Sequence, residues 1–239
     1  MKRTLSVPDG SFLHYQVNGT GKVVLFLHGN SQNHSYFIWQ KRLFNRFFRS
    51  VWLDTRDHGL STNTQTTLTF QQIVSDIVAL LKQEGWRKLS IVGFSDGANI
   101  ALLFAKKYPQ FVEKLVLVSP NLSPNGLKTV KRKQMKTLLK WFSKLRLKKF
   151  QRRTALALSQ TGISEEDLRQ LAVPTLLVQG ENDIISHQHI AAIAKALPNS
   201  QLEMVSNTGH SVPFLRPKWF NQKVLSFLTE KKNSKKVRP

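Results

Sequence analysis

The stretch Leu89-Ser-Ile-Val-Gly-Phe-Ser-Asp-Gly-Ala-Asn-Ile-Ala-Leu-Leu-Phe-Ala105 decides the fold. Its first four residues form an apolar, partly β-branched run that is typical of a buried strand. From Ala98 onward, small and apolar residues recur at helical spacing. Between them lies a G-x-S-x-G motif, in which Gly93 and Gly97 allow a sharp turn because they place no Cβ atom beside it. The sequence therefore predicts a strand–turn–helix unit with the Ser95 hydroxyl exposed at its apex, above the helix N-terminus.

This unit resembles the nucleophile elbow of the α/β-hydrolase family. The motif by itself is also compatible with an ordinary strand-to-helix turn around a structural serine. Two further segments strengthen the resemblance: His28-Gly29 directly after the apolar run 23–27, and Asp54-Thr-Arg-Asp-His-Gly-Leu-Ser61, which matches the family's D-x-R-x-x-G-x-S loop. The resemblance covers about residues 11 to 228, the segment between the sixth and seventh strands excepted.

Apolar runs typical of buried strands alternate with helical patterns along the chain. Such alternation predicts parallel strands joined by right-handed crossovers. The resemblance implies an α/β fold with a mostly parallel central sheet of about eight strands, helices on both faces, and a small helical cap inserted after strand 6. We predict a core of residues 1–122 and 172–229, a basic helical cap of residues 123–171, and a basic disordered tail of residues 230–239.

Three residues follow predicted strands in the order serine, acid, histidine. The resemblance implies a catalytic triad in which His210 takes the proton of Ser95 and Asp183 orients the imidazole. All three would meet at the carboxyl edge of one sheet. Glu181 competes with Asp183 as the acid, and a structural loop histidine is the alternative for His210. Some relatives carry the acid one strand earlier. At that position this chain has Ser-Pro-Asn, residues 119–121, which offers no carboxylate.

The resemblance also implies an oxyanion hole made by the backbone N–H groups of Asn30 and Asp96. Each donor of this kind contributes about 10²–10³ in rate. We predict substrate contacts for Asn30, Tyr36, Asp96 and Trp141. The Asp96 carboxylate would pair with a substrate ammonium group, and the alternative is a carboxylate that is favoured at the start of a helix by the helix dipole.

The chain of 239 residues carries a formal net charge of +22, which suggests an anionic partner. Residues 128–153 hold twelve Lys or Arg residues and no acidic one. Their apolar residues recur three or four positions apart and predict one or two basic amphipathic helices. Three interpretations stay open. The segment is a cap with solvated lysines, a peripheral contact with an anionic membrane or substrate through Trp141 and Phe142, or a nucleic-acid contact, which no recognition motif favours.

Composition excludes several other classes. The chain has no cysteine, which excludes disulfides and thiolate metal sites. The N-terminal residues contain no apolar signal-peptide core, and no apolar run reaches the roughly 20 residues needed to span a bilayer. We expect a cytoplasmic protein without a transmembrane segment and a reaction that uses no metal and no organic cofactor.

These features together predict a serine hydrolase acting on a carboxylic ester, or a related acyl bond, of a small or lipid-like substrate. Cleavage would proceed through an acyl-enzyme, as in carboxylesterases and lipases. Family members that open epoxides or displace halides carry aspartate where this chain has Ser95. The alternative is a non-catalytic or weakly catalytic binding protein on the hydrolase scaffold, recruited to an anionic membrane or nucleic acid by its basic segment.

Overall fold

The structure is a computed structural model that describes residues 1–230. Its strands are β1 (Lys2–Ser6), β2 (Phe12–Asn18), β3 (Val23–Leu27), β4 (Arg49–Leu53), β5 (Leu89–Phe94), β6 (Val112–Val118), β7 (Thr175–Gly180) and β8 (Ser200–Val205). Its helices are α1 (Ile38–Phe47), α2 (Phe70–Glu84), α3 (Asp96–Lys107), α4 (Thr129–Lys144), α5 (Lys148–Ala157), α6 (Glu165–Gln170), α7 (His187–Ala196), α8 (Val212–Leu215) and α9 (Pro217–Thr229).

The strands form one sheet in the order β1-β2-β4-β3-β5-β6-β7-β8. β1 pairs with β2, and β2 with β4, in antiparallel fashion, while all other neighbours are parallel. The predicted fold class is therefore confirmed. The parallel strands point their carboxyl ends to one edge, where the loops after β3, β5, β7 and β8 meet.

The sheet separates two apolar layers, because successive side chains of a strand point to opposite faces. In β3, Leu25 and Leu27 pack with residues of α2, α3 and α7 on one face. On the other face, Val24 and Phe26 pack with residues of α1 and α9. A strand that is buried on both faces needs an unbroken apolar sequence, and β3 has one.

Sequence signals also set the ends of individual helices. α2 begins with a capping box, in which the Thr69 side chain accepts from the Gln72 N–H and the Gln72 side chain accepts from the Thr69 N–H. It ends at Gly85, whose φ of +68° is the left-handed conformation that favours glycine at a helix C-terminus.

The segment between β6 and β7 contains α4, α5 and α6. α4 has no fully buried residue, whereas α5 buries Arg153, Thr154 and Leu156. The division of the chain into a core and a cap stays a prediction, and the predicted tail lies outside the described residues apart from Glu230. Within residues 1–230, no helix has the length and apolar character required to cross a membrane.

Candidate active site

Ser95 lies at the sharp turn between β5 and α3. Its φ of +53° is a strained value for a residue with a side chain. The turn is possible because both flanking glycines lack a Cβ atom: one at Gly93 would collide with the Gly97 carbonyl, and one at Gly97 would collide with the Leu27 carbonyl. The G-x-S-x-G sequence thus packs the turn against β3 and raises the Ser95 hydroxyl above the sheet edge.

The structure brings the three predicted triad residues together. His210, in the loop after β8, has its Nε2 3.1 Å from the Ser95 Oγ. Its Nδ1 lies 2.7 Å from Oδ1 of Asp183, which follows β7. This geometry allows the imidazole to accept the serine proton at Nε2 while its Nδ1–H donates to the carboxylate.

The Asp183 carboxylate is fully buried and well supported. Its Oδ1 also accepts the Ile185 backbone N–H at 2.9 Å, and its Oδ2 accepts the Ser119 hydroxyl at 2.5 Å. Burial alone raises the pKa of such a group, but the hydrogen bonds from His210, Ser119 and Ile185 outweigh it and hold the pKa of Asp183 below its ordinary value. The competing acid, Glu181, is exposed and accepts the Asn207 backbone N–H instead.

Asn30 and Asp96 lie in the wall of the same cavity as Ser95. Asp96 is the first residue of α3, so its backbone N–H has no partner inside the helix. The Asn30 side chain donates to Asp96 Oδ2 at 2.9 Å and to the Arg153 carbonyl at 2.7 Å. Burial raises the pKa of Asp96 to about 6, and the Asn30 hydrogen bond and the nearby His210 partly oppose this rise.

The loop that carries Asn30 is braced by His28. Its Nδ1 donates to the Gly29 carbonyl, and its Nε2 accepts the Thr55 N–H at 3.1 Å. Burial lowers the pKa of His28 to about 4, so the ring is neutral near pH 7 and can accept at Nε2. The side chain therefore serves the loop backbone and not the reacting atoms.

A cavity of about 330 Å³ opens over Ser95, a volume within the range of small-ligand sites. Its floor carries Ser95, His210, Asn30 and Asp96. Its opposite wall comes from α4 and α5 and is mostly apolar, through Met135, Leu138, Phe142, Phe150 and Ala157, with Lys131 and Thr154 as its polar members.

Two of the residues predicted to contact substrate, Tyr36 and Trp141, do not line this cavity, and their contact with substrate stays a prediction. The Tyr36 ring stacks on Phe94, with ring centroids 4.6 Å apart, and only the Phe94 side of this pair borders the cavity. Trp141 is 65% exposed and lies on the solvent side of α4, away from the cavity wall. Periodicity showed that α4 is amphipathic but did not show which of its apolar residues face inward.

The hydrolase signature of the chain is also found by comparison with known proteins. A family model described as the alpha/beta hydrolase fold matches residues 22–161, more than half of the chain. The chain belongs to this family. Outside the matched range, this α/β-hydrolase carries Asp183 and His210 in loops whose positions the sheet topology fixes.

Similar proteins of this family include hydrolases from bacteria and mammals. A putative esterase/lipase of Haemophilus influenzae is 24% identical, over 92% of this chain and 89% of its own length. The human serine hydrolase BPHL is 27% identical, over 92% of this chain and 84% of its own length. Among solved structures, an esterase from Exiguobacterium antarcticum superposes with a TM-score of 0.81 at 21% identity, covering 96% of this chain and all of the other. These relatives establish a hydrolase of the family, and the solved structure shows the shared fold.

Residues 1–230 contain one group of three side chains with metal-compatible donors: His14, His34 and Asp54. Hydrogen bonds to neighbouring side chains already occupy both ring nitrogens of His34 in this group. The Gln16 side-chain Nε2 lies 2.7 Å from the His34 Nε2, and Lys41 donates to the Gln16 Oε1, which orients the amide. His34 Nε2 therefore accepts, and its Nδ1–H donates to Asp54 Oδ1 at 2.7 Å. With a proton on Nδ1, His34 braces the loop after β4 and is not set up as a metal ligand.

Sequence reasoning missed two supporting contacts. The sequence indicates only that position 119 offers no carboxylate, whereas in the structure the Ser119 hydroxyl donates to the Asp183 carboxylate. Asn30 is predicted to contact substrate, but its side-chain hydrogen bonds to Asp96 and to the Arg153 carbonyl are not predictable because these partners are distant in sequence. The signal that identifies Ser119 is a polar residue directly after a buried strand, at the sheet edge that also carries Ser95, Asp183 and His210.

Proposed function

We propose that this chain is a serine hydrolase that cleaves carboxylic esters of small or lipid-like substrates, as carboxylesterases and lipases do. One observation carries the proposal: a single imidazole, His210, lies 3.1 Å from the Ser95 hydroxyl and 2.7 Å from the Asp183 carboxylate. The names of the relatives from Haemophilus influenzae and human support hydrolysis as the reaction class.

The first half of the reaction forms the acyl-enzyme. Ser95 Oγ attacks the ester carbonyl carbon while its proton passes to His210 Nε2. The carbonyl oxygen becomes an oxyanion, which the backbone N–H groups of Asn30 and Asp96 stabilise. Asp183 keeps its charge and stabilises the imidazolium. When the tetrahedral intermediate collapses, the bond to the alcohol breaks and His210 returns the proton to the departing alkoxide.

The second half releases the acid. A water molecule gives its proton to His210 and attacks the carbonyl carbon of the acyl-Ser95 ester. The same two backbone donors hold the second oxyanion. Collapse breaks the bond to Ser95 Oγ, and the proton on His210 restores the hydroxyl. Atoms and charge balance with water as the only co-substrate.

The cavity supports a substrate with an apolar acyl group and a polar end. The acyl group would lie on the apolar wall of α4 and α5, with the carbonyl at Ser95. We further propose that the Asp96 carboxylate pairs with an ammonium group of the substrate. The residue borders the cavity, and its buried carboxylate accepts a hydrogen bond from the Asn30 amide but forms no ion pair within residues 1–230. An amino-acyl ester would then be preferred over a plain acyl ester of equal size.

An active-site serine probe tests the proposal directly. A fluorophosphonate is expected to label the wild type at Ser95 and not the Ser95→Ala variant, while Ser211→Ala, which changes another serine of the cavity wall, keeps the label. Hydrolysis of p-nitrophenyl esters of graded chain length is expected to fall by about 10⁴–10⁶ in Ser95→Ala. Folded protein that neither takes the label nor hydrolyses any ester would favour the non-catalytic binding protein instead.

A further inference from the structure

α4 presents three separate rows of side chains. Met135, Leu139 and Phe142 face inward and are half-buried. A second row runs along the solvent side and ends one residue beyond the helix. Its members lie at spacings of four, four, three and four residues, and four of the five are apolar: Val130, Gln134, Leu138, Trp141 and Leu145. A third row, on the flank, consists of Lys133, Lys136, Lys140 and Lys144, all exposed.

The solvent row is unusually apolar for a helix surface that faces water. Val130 is 70% exposed, Trp141 65% and Leu145 54%. The exposed apolar surface continues through the turn after α4 to Leu147 and Phe150. A contiguous apolar patch rimmed by charges marks an interaction surface more often than a solvated one.

This surface reaches the active-site cavity. Leu138 and Phe150 are both exposed and part of the cavity wall. Phe150 contacts Phe142, another wall residue, with ring centroids 5.4 Å apart. The mouth of the cavity therefore opens beside the apolar row.

The positive charge of the surface is almost uncompensated. Of the twelve cations in residues 128–153, Arg152 alone forms an ion pair with a carboxylate among residues 1–230, and its partner is Asp57. The lysine row thus has no acidic partner within the part of the chain that the structure describes. Its charges are available to an external anion.

We propose that α4 and the turn that follows it dock in the plane of an anionic lipid surface. The apolar row enters the boundary between headgroups and acyl chains, and the lysine row lies on the lipid phosphates. The cavity mouth then faces the lipid. The docking does not depend on the proposed ester hydrolysis. Delivery of an ester from the lipid to Ser95 does depend on that proposed function.

Two other occupants fit the surface less well. Nucleic acid would use the lysines but gain little from four exposed apolar side chains, because phosphate contacts are electrostatic. A second copy of this chain would bring two uncompensated lysine rows together, which like-charge repulsion opposes. Anionic lipid is the partner that satisfies both the charge and the apolar row.

Vesicle flotation with the full-length Ser95→Ala variant tests the docking without turnover. We expect binding to phosphatidylcholine vesicles that contain phosphatidylglycerol, no binding to phosphatidylcholine alone, and a steep loss of binding as salt rises. Changing the lysine row to glutamine is expected to weaken binding on the order of 10²–10³-fold. The matched control removes four exposed cations elsewhere, at Lys82, Arg87, Lys88 and Lys107, and should weaken binding far less.

The apolar row is tested by Trp141→Ser, which is expected to weaken vesicle binding on the order of tenfold. Trp39→Ser is the control, since Trp39 is 56% exposed on α1, outside this surface. Thermal unfolding of each variant checks that the fold is intact.

Several outcomes would overturn the docking. Equal weakening by the two four-residue variants would mean that only net charge matters. Binding of a single-stranded oligonucleotide as tight as that of the vesicles, and unaffected by Trp141→Ser, would assign the surface to nucleic acid. A dimer that dissociates in Trp141→Ser would assign it to a second copy.

The docking and the hydrolysis fail in different assays. If the wild type hydrolyses no ester yet the Ser95→Ala variant floats with anionic vesicles, the hydrolase proposal fails and the docking stands. If both stand, the lysine-row variant should keep its rate on a water-soluble ester and lose rate on an ester embedded in anionic vesicles. Equal loss on both substrates would refute lipid delivery.

Discussion

Replacing Ser119 by alanine is expected to weaken the support of the Asp183 carboxylate while leaving the Asp183–His210 contact in place. Ser119 is completely buried, and its hydroxyl donates to Asp183 Oδ2 at 2.5 Å. Among residues 1–230, no other hydrogen bond reaches that oxygen. A hydrogen bond to a charged group contributes about 1.5–3 kcal/mol, so Ser119→Ala should lower the free energy of unfolding at pH 7 by that amount.

The effect on stability should depend on pH in a defined direction. The pKa of Asp183 is held below its ordinary value near 3.8, so its contribution is complete above that value and disappears as pH falls through the lower folded-state pKa. Losing the Ser119 hydroxyl raises the folded-state pKa. The difference in unfolding free energy between wild type and Ser119→Ala should therefore be largest near pH 7 and shrink below about pH 4.

Measurements of kcat distinguish the supporting role of Ser119 from the orienting role of Asp183. In Ser119→Ala the carboxylate still accepts the His210 Nδ1–H and is charged in both the resting enzyme and the transition state, so most of the lost contribution of about 1.5–3 kcal/mol affects both states equally. We therefore expect kcat to fall about tenfold or less. Asp183→Asn removes the charge and reverses the tautomer preference, which should cost about 10⁴ in kcat.

Urea unfolding at pH 7 and at about pH 3, below the ordinary pKa of the carboxyl, together with ester kinetics at pH 7, measures all of these effects. Ser50→Ala is the matched control, because Ser50 is also completely buried but its hydroxyl has no hydrogen-bond partner in residues 1–230. Its removal should be nearly neutral. If Ser119→Ala and Ser50→Ala have the same stability at pH 7, the carboxylate is not supported by Ser119 and the reasoning is wrong.

Three further predictions follow from the fold and the site. Gly97→Ala should prevent labelling of the serine by a fluorophosphonate, because a Cβ there collides with the Leu27 carbonyl; full labelling would contradict this packing. Arg56→Met should lower the free energy of unfolding by about 3–5 kcal/mol, since it leaves the buried Asp76, which now receives two Arg56 bonds, without a cation; a loss under 1 kcal/mol in urea unfolding would refute this. The ratio of kcat/KM for an amino-acyl ester to that for a plain acyl ester should rise as pH increases through about 6, the pKa of Asp96, and Asp96→Asn should remove the rise; a ratio that is flat with pH in the wild type would end the ammonium pairing.

The sheet and the convergence of Ser95, Asp183 and His210 were predictable because they depend on strand order. Apolar runs mark the parallel strands, and each of the three residues follows one. Since carboxyl ends of parallel strands share an edge, proximity follows without knowledge of any side-chain conformation. Glycine at positions 93 and 97 adds a local constraint that few other turns would impose.

The contacts that tune the site were not predictable in the same way. The Asn30 side chain joins Asp96 to the Arg153 carbonyl, across 66 and 123 residues of sequence. Such contacts depend on how α5 docks on the sheet edge, and periodicity carries no information about docking. For the same reason, the sequence did not show that Trp141, which it predicts to contact substrate, lies on the solvent side of α4.

The two helices that wall the cavity are fastened to very different degrees. α5 is tied down by the Arg152–Asp57 ion pair and by the Asn30 side chain, which donates to its backbone. α4 packs on its neighbours through the half-buried side chains of Met135 and Phe142. The α5 side of the cavity is thus held by an ion pair and a side-chain hydrogen bond, and we expect the α4 side to move more easily. Under the proposed ester hydrolysis, we expect longer acyl groups to displace α4 before α5, so that α4 sets the size limit for substrates while Ser95 and His210 stay in place.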